Sequence, residues 1–235
     1  MPTTEKKISL LRSKFSNALL RPDLGAIVGV VLVFLFFFLV ARDTGMFSLE
    51  GSMNWGIVSS QFIIIAVGAC LLMIAGEFDL SVGSMIGFAG IIIAVTSVVW
   101  GWPVWLSIIA AFIVSMAIGG LIGYITVKTN LPSFIVSLAF LYILRGMTIF
   151  IAIISTKKTI IGGVTEAAQN DWLAPFFGGK IFTGAFDWLA EHGIIQTFVA
   201  GTKAGQPVVS GIPMMMVWAI GLIIFAHLLL TKTRF

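Results

Sequence analysis

Charge is the scarcest property of this sequence: Asp, Glu, Lys and Arg make up 10% of its 235 residues, where soluble domains carry roughly a quarter. A water-soluble fold of this length cannot hide a chain that is 59% hydrophobic, so a soluble enzyme is excluded and a bilayer is the expected solvent. Mean hydropathy is +1.09. Cysteine is nearly absent: Cys70 stands alone in an apolar run, so it cannot form an internal disulfide and reads as a small buried hydrophobe. The two histidines, His192 and His227, are far apart and have no cysteine partners, which argues against a zinc site. The sequence contains no Gly-x-x-x-x-Gly-Lys-Ser/Thr loop, so ATP is not bound by the P-loop route. It contains no Ser/His/Asp or Cys/His set that suggests nucleophilic catalysis. No metal and no cofactor is expected.

What the chain does have is long apolar runs. Spans of about 20 apolar residues cross a hydrocarbon core of roughly 30 Å, and on that rule six are expected: 24–41, 57–76, 80–99, 104–127, 131–154 and 213–230. The run at 24–41 is longer than a signal-peptide core and has no clear small-residue cleavage site after it, so it reads as an uncleaved first span. The predicted fold is an all-α, polytopic membrane protein. Its divisions are a basic tail (1–23), a five-span bundle (24–154), an extracytoplasmic segment (155–212), and a sixth span leading into a cytoplasmic loop (213–235).

Orientation follows from the basic residues. Lys6, Lys7, Arg12, Lys14 and Arg21 precede the first span, the flank of a cytoplasmic tail held near anionic lipid; nucleic acid is not an expected partner. Lys128, Lys232 and Arg234 fall on the same side, against Arg42 and four lysines (157, 158, 180 and 203) spread along the opposite side. The N-terminus is therefore expected in the cytoplasm. Trp100, Trp102 and Trp105 then lie at the outer interface, where indole rings favour the headgroup level. Within 155–212, Phe182, Phe186 and Leu189 recur at helical spacing, with Asp187 and Glu191 on another side. This reads as an amphipathic surface helix, or as a docking face for an extracytoplasmic partner.

Small residues are phased in two spans. Gly83, Gly87 and Gly90 make one stripe, and Ala111, Ser115, Gly119 and Gly123 another; both are expected to pack helices closely. Glu77 and Asp79 fall between two apolar runs. Carboxylates at membrane depth usually face a bundle interior or a wet cavity, and Asp79 is also placed to cap the next helix by accepting N–H groups near Ser81 and Val82. Arg145 is a lone cation within the 131–154 run. It reads either as a structural or snorkelling arginine, or as a group lining a translocation path.

Gly76-Glu-Phe-Asp-Leu-Ser-Val-Gly-Ser-Met85 resembles the Asp-Leu-Ser-Val-Gly-Ser signature of bacterial monosaccharide permeases of the ABC transporter superfamily, the ribose, xylose and arabinose group. Met46-Phe-Ser-Leu-Glu-Gly-Ser-Met-Asn54, Ile65-Ala-Val-Gly68, Leu131-Pro-Ser-Phe-Ile-Val136 and Leu144-Arg-Gly146 resemble that family in order and spacing, and Trp100-Gly-Trp-Pro103 and the long outer segment look most like its xylose branch. Glu77 departs from the glycine or small apolar residue more usual there, although the xylose-like members carry an alanine–glutamate pair at this place. The resemblance implies a transport subunit, not an enzyme, acting by alternating access with Asp79, Ser81 and Arg145 as its polar features. The implied partners are an ABC ATPase subunit, an extracytoplasmic sugar-binding protein, a second permease copy and membrane lipid. It further implies a continuation past Phe235, so the chain is expected to be a fragment. A permease for nucleosides or other small polar solutes, or a non-transporting membrane scaffold, are the alternative expectations.

Overall fold

The computed structural model describes residues 22–169, 171–199 and 204–233. The basic side chains of the expected 1–23 tail lie outside these residues, as do Lys203 and Arg234. The described chain divides into two compact units, with the boundary after Asn54.

In the first unit, the apolar run yields helix α1 (Pro22–Ala41), followed by a 3-10 turn (Arg42–Thr44) and by the opening turns of α2 (Leu49–Ile74). Ser48 starts α2: its hydroxyl accepts the Gly51 N–H at 3.1 Å, an N-cap to the third helical residue. Helix α2 therefore begins eight residues before the expected 57, because Glu50 and Asn54 are tolerated in capped first turns that an apolar count rejects. A side chain at Gly51 would run into the carbonyls of Gly45 and Met46.

The second unit holds the packed core. Helix α3 (Val82–Ala94) continues into a π turn (Val95–Val99) and lies against both α4 (Val104–Thr129) and α5 (Ser133–Thr156). Phe88, Ile91 and Val95 from α3 meet Leu144 and Ala152 from α5, with Val114 and Ile118 of α4 alongside. The π turn is closed by Trp100 N–H donating to the Val95 carbonyl at 3.0 Å. The buried Thr96 and Ser97 hydroxyls donate back to the Ile92 and Ile93 carbonyls at 2.7 and 2.6 Å, so the widened helix carries its polar groups satisfied through an apolar environment. Asn130 ends α4 in the left-handed conformation (φ 53°), and Pro132 sets the entry to α5.

After α5 come α6 (Val164–Gln169), α7 (Ala174–Gly178), β1 (Lys180–Ile181), α8 (Thr183–Glu191), β2 (Ile212–Pro213) and α9 (Met214–Lys232). β1 and β2 pair antiparallel, Lys180 opposite Pro213. The Trp218 indole donates to the Phe176 carbonyl at 3.1 Å, joining α9 to α7. The expected surface helix is α8, which turns Phe186 and Leu189 inward and leaves Asp187, Trp188 and Glu191 exposed. Phe182 does not share its apolar face: it precedes the helix in a left-handed conformation (φ 59°) and is exposed.

Six helices among the described residues are long and apolar enough to cross a membrane: α1, α2, α3 with its π turn, α4, α5 and α9. Large apolar side chains such as Phe62, Met116 and Val127 are two-thirds or more exposed, as lipid- or partner-facing surfaces require. Cys70 is exposed on α2, a correction to its expected burial. All seven tryptophans gather at one end of the second unit: Trp55 near the start of α2, Trp100, Trp102 and Trp105 around the α3–α4 turn, Trp172 and Trp188 in the 155–212 segment, and Trp218 near the start of α9.

Candidate functional site

The opposite end of that unit is built around a helix break. Helix α2 ends in a Schellman turn: Gly76, at φ +82°, donates to the Met73 carbonyl at 3.0 Å, and the Glu77 N–H reaches back to Leu72 at 3.1 Å. The chain then runs non-helically to Val82. Peptide groups in such a stretch need partners, because hydrocarbon offers none. The Asp79 carboxylate supplies one, accepting the Ser81 N–H at 2.7 Å and the Ser81 hydroxyl at 2.6 Å through the same oxygen. Ser81 is fully buried, and its carbonyl accepts the Met85 N–H as α3 begins.

Helix α5 supplies the others. The Phe78 N–H donates to Ser133 Oγ at 3.0 Å, and the Leu80 N–H to Ser137 Oγ at 3.1 Å. Sequence reasoning missed these two serines. Their spacing of four residues places both hydroxyls on one helix face, which was the available signal.

Glu77 and Asp79 line a cavity of about 420 Å³ whose wall is otherwise Ile64, Ile65, Gly68, Ala69, Leu72, Met73, Phe78 and Val82. Two acceptors on an apolar wall can hold the hydroxyls of a small polar solute. The structure thus brings Glu77, Asp79 and Ser81 together, with Gly83 one residue past the cavity edge. Arg145 is elsewhere: it lies three turns beyond Ser133, roughly 18 Å along α5, on the exposed side of the helix and next to the buried Leu144. Among the described residues Arg145 forms no ion pair; the pair found is Arg42–Asp43 at 3.5 Å, both exposed.

Within the described residues the small-residue stripes divide, with Ala111 of the second stripe buried at 4% exposure. Gly83, Gly87, Gly90, Gly119 and Gly123 all face open space, with nothing within 4 Å of an added Cβ, and Ser115 is half-buried.

At the tryptophan end, Asp171 does what the sequence did not reveal. One carboxylate oxygen accepts the Trp105 N–H at 2.9 Å in the first turn of α4, and the other accepts the Leu173 N–H at 3.0 Å. Burial raises its pKa, but the N–H groups of Trp105, Leu173, Val104 and Ala174 together outweigh that and hold the carboxyl below its usual value. A native pKa below the unfolded one means the attachment is complete above the ordinary carboxylate pKa of about 3.9. It is lost as pH falls from there through the lowered native value. Hydrogen exchange at the Trp105 and Leu173 amides, corrected for intrinsic rate, is expected to speed up over that acid range. In Asp171→Asn it is expected to be already faster at neutral pH.

Six helices long and apolar enough to cross a membrane make this an all-α, polytopic membrane protein. Residues 52–235 match the family described as the branched-chain amino acid transport system / permease component, and the chain belongs to that family. It is 30% identical over 143 residues to the xylose transport system permease protein of Escherichia coli, covering 61% of this chain and 36% of that protein. It is 32% identical over 161 residues to the Haemophilus influenzae xylose permease, 67% of this chain and 43% of that one. The ribose import permease of Haemophilus influenzae is 30% identical over 119 residues, 51% of this chain and 36% of the relative. The chain thus spans well under half the length of these relatives. No solved structure matches it. The expected likeness to monosaccharide permeases of ABC transporters holds, and the protein is a multi-pass protein of the bacterial inner membrane.

Proposed function

We propose that the chain is part of the permease subunit of an ATP-driven monosaccharide importer, and that it translocates by alternating access. The observation that carries this is the break between α2 and α3, where Glu77 and Asp79 face a cavity of about 420 Å³ in a chain similar to sugar permeases. ATP is hydrolysed on a separate ATPase subunit, an extracytoplasmic binding protein delivers the sugar, and a second permease copy completes the pore. The N-terminus is cytoplasmic, which puts the tryptophan end outside and the break toward the cytoplasm. Uptake of a panel of labelled monosaccharides, D-xylose included, by cells with and without the gene tests the reading. Loss of one sugar, with co-purification of an ATPase, supports it. Unchanged uptake across the panel overturns it in favour of a nucleoside permease or a scaffold.

Arg145 is read here as lining the translocation path. A charge near the middle of a span costs roughly 2.5–3.5 kcal/mol on insertion scales, and the exposed Arg145 gains nothing from packing within the described residues. Arg145→Leu is expected to leave membrane levels intact and to lower uptake about tenfold, with Arg145→Lys in between. Normal uptake by Arg145→Leu at matched membrane levels would show that the arginine is incidental.

A further inference from the structure

Two stretches more than fifty residues apart in sequence are joined by serine hydrogen bonds. The Schellman turn uses the N–H groups of Gly76 and Glu77, and Asp79 takes that of Ser81. The N–H groups of Phe78 and Leu80 go to Ser133 and Ser137, and the Ser137 hydroxyl also lies 3.5 Å from the Phe78 carbonyl. The fit is geometric. One turn of α5 advances four residues by roughly 6 Å, and two residues of non-helical chain advance by a similar 6–7 Å, so one helix edge meets alternate peptide groups of the break. Apolar packing holds this stretch only in part, since the side chains of Phe78 and Leu80 are 58% and 47% exposed. Ser137 itself is fully buried.

We infer that Ser133 and Ser137 are positioning residues of the transport cycle: they fasten residues 75–81, and through them Glu77 and Asp79, against the cavity, and they release them when the site reorients. This rests on the permease reading given above. Hydroxyl bonds between membrane helices are individually weak, which suits a fastening that must open in each cycle. Because the break's own apolar side chains are exposed, loosening it should not collapse the core.

The test has two arms. In a background in which Cys70 and any further native cysteine of the full-length protein are replaced by serine, Phe78→Cys is labelled with a water-soluble maleimide in membranes. Adding Ser133→Ala, Ser137→Ala or both is expected to raise the labelling rate roughly five-fold. Ser107→Ala removes an equally buried hydroxyl whose bond goes to Pro103, the residue just before its own helix, and it is expected to leave labelling unchanged. In the second arm, with Phe78 and Cys70 native, the serine variants are expected to lower the maximal rate of sugar uptake roughly five-fold more than they change KM. Ser137→Thr, which keeps a hydroxyl, is expected to restore most of the rate. Unchanged labelling overturns the inference, as does faster labelling with a normal uptake rate. If no sugar depends on the gene, the permease reading fails while the labelling arm still decides whether the fastening exists. Should the double variant not reach the membrane, Ser133→Ala alone, at a half-buried position, decides the matter.

Discussion

Asp79→Ala is expected to reduce uptake tenfold or more at matched membrane levels, whereas Asp79→Asn keeps a measurable share. A single carboxylate oxygen receives two bonds from Ser81, at 2.7 and 2.6 Å, and bonds to an ionised acceptor are roughly twice as strong as neutral ones. Ser81 is fully buried, so water cannot replace the lost acceptor. An unsatisfied buried donor costs about 1–3 kcal/mol. Relief comes only by moving the start of α3, which carries with it the acceptors facing the cavity. That cost corresponds to about a five- to hundredfold population change. The amide oxygen of Asn can still accept, without the charge, which places that variant between the two. Uptake of the transported sugar, normalised to permease level, is the measurement. An Asp79→Ala permease that transports normally would reduce Asp79 to a dispensable turn former.

Leu144→Ala is expected to cost more stability than any other single truncation in the core. Leu144 is 1% exposed and packs where α5 meets Phe88, Ile91 and Val95 of α3. Core Leu→Ala changes cost about 2–5 kcal/mol in water-soluble proteins. Lipid tails are as apolar as leucine, so here the loss is one of packing rather than transfer. The lower end, about 2 kcal/mol, is therefore expected. Thermal unfolding in detergent should show a clear drop in midpoint for Leu144→Ala and none for Met116→Ala, whose side chain is 74% exposed. Equal midpoints for the two variants would mean that the α3–α5 contact is not the keystone.

The spans were legible because an apolar run of about 20 residues has few fates besides crossing a bilayer, and α4, α5 and α9 start and stop within a few residues of expectation. The start of α2 was not, since polar residues in a capped first turn look like loop. Asp79 stands just before an apolar run, where a cap is expected, but its carboxylate accepts from Ser81, the residue that precedes α3, and α3 carries no side-chain cap bond of its own. Ser133 and Ser137 could not be assigned, because a serine in an apolar run bonds equally well to the backbone four residues before it, as Ser107 does. Only the juxtaposition of α5 with the break distinguishes the two uses. Asp171 was hidden for the same reason: its partner Trp105 lies 66 residues away, and sequence counts it merely as one charge among several. The glycine stripes show the converse, a periodicity that is real in the sequence yet faces open space in the described chain.

The gathering of this chain's seven tryptophans at one end of the second unit makes residues 1–235 a one-sided optical probe. Brominated or spin-labelled lipids quench indole emission over short range, so quenchers confined to one leaflet should darken the protein or leave it bright according to which leaflet carries them. Lysine and arginine placement predicts the indoles in the outer leaflet, and the emission of the unlabelled, unmutated chain can be asked directly whether that is so.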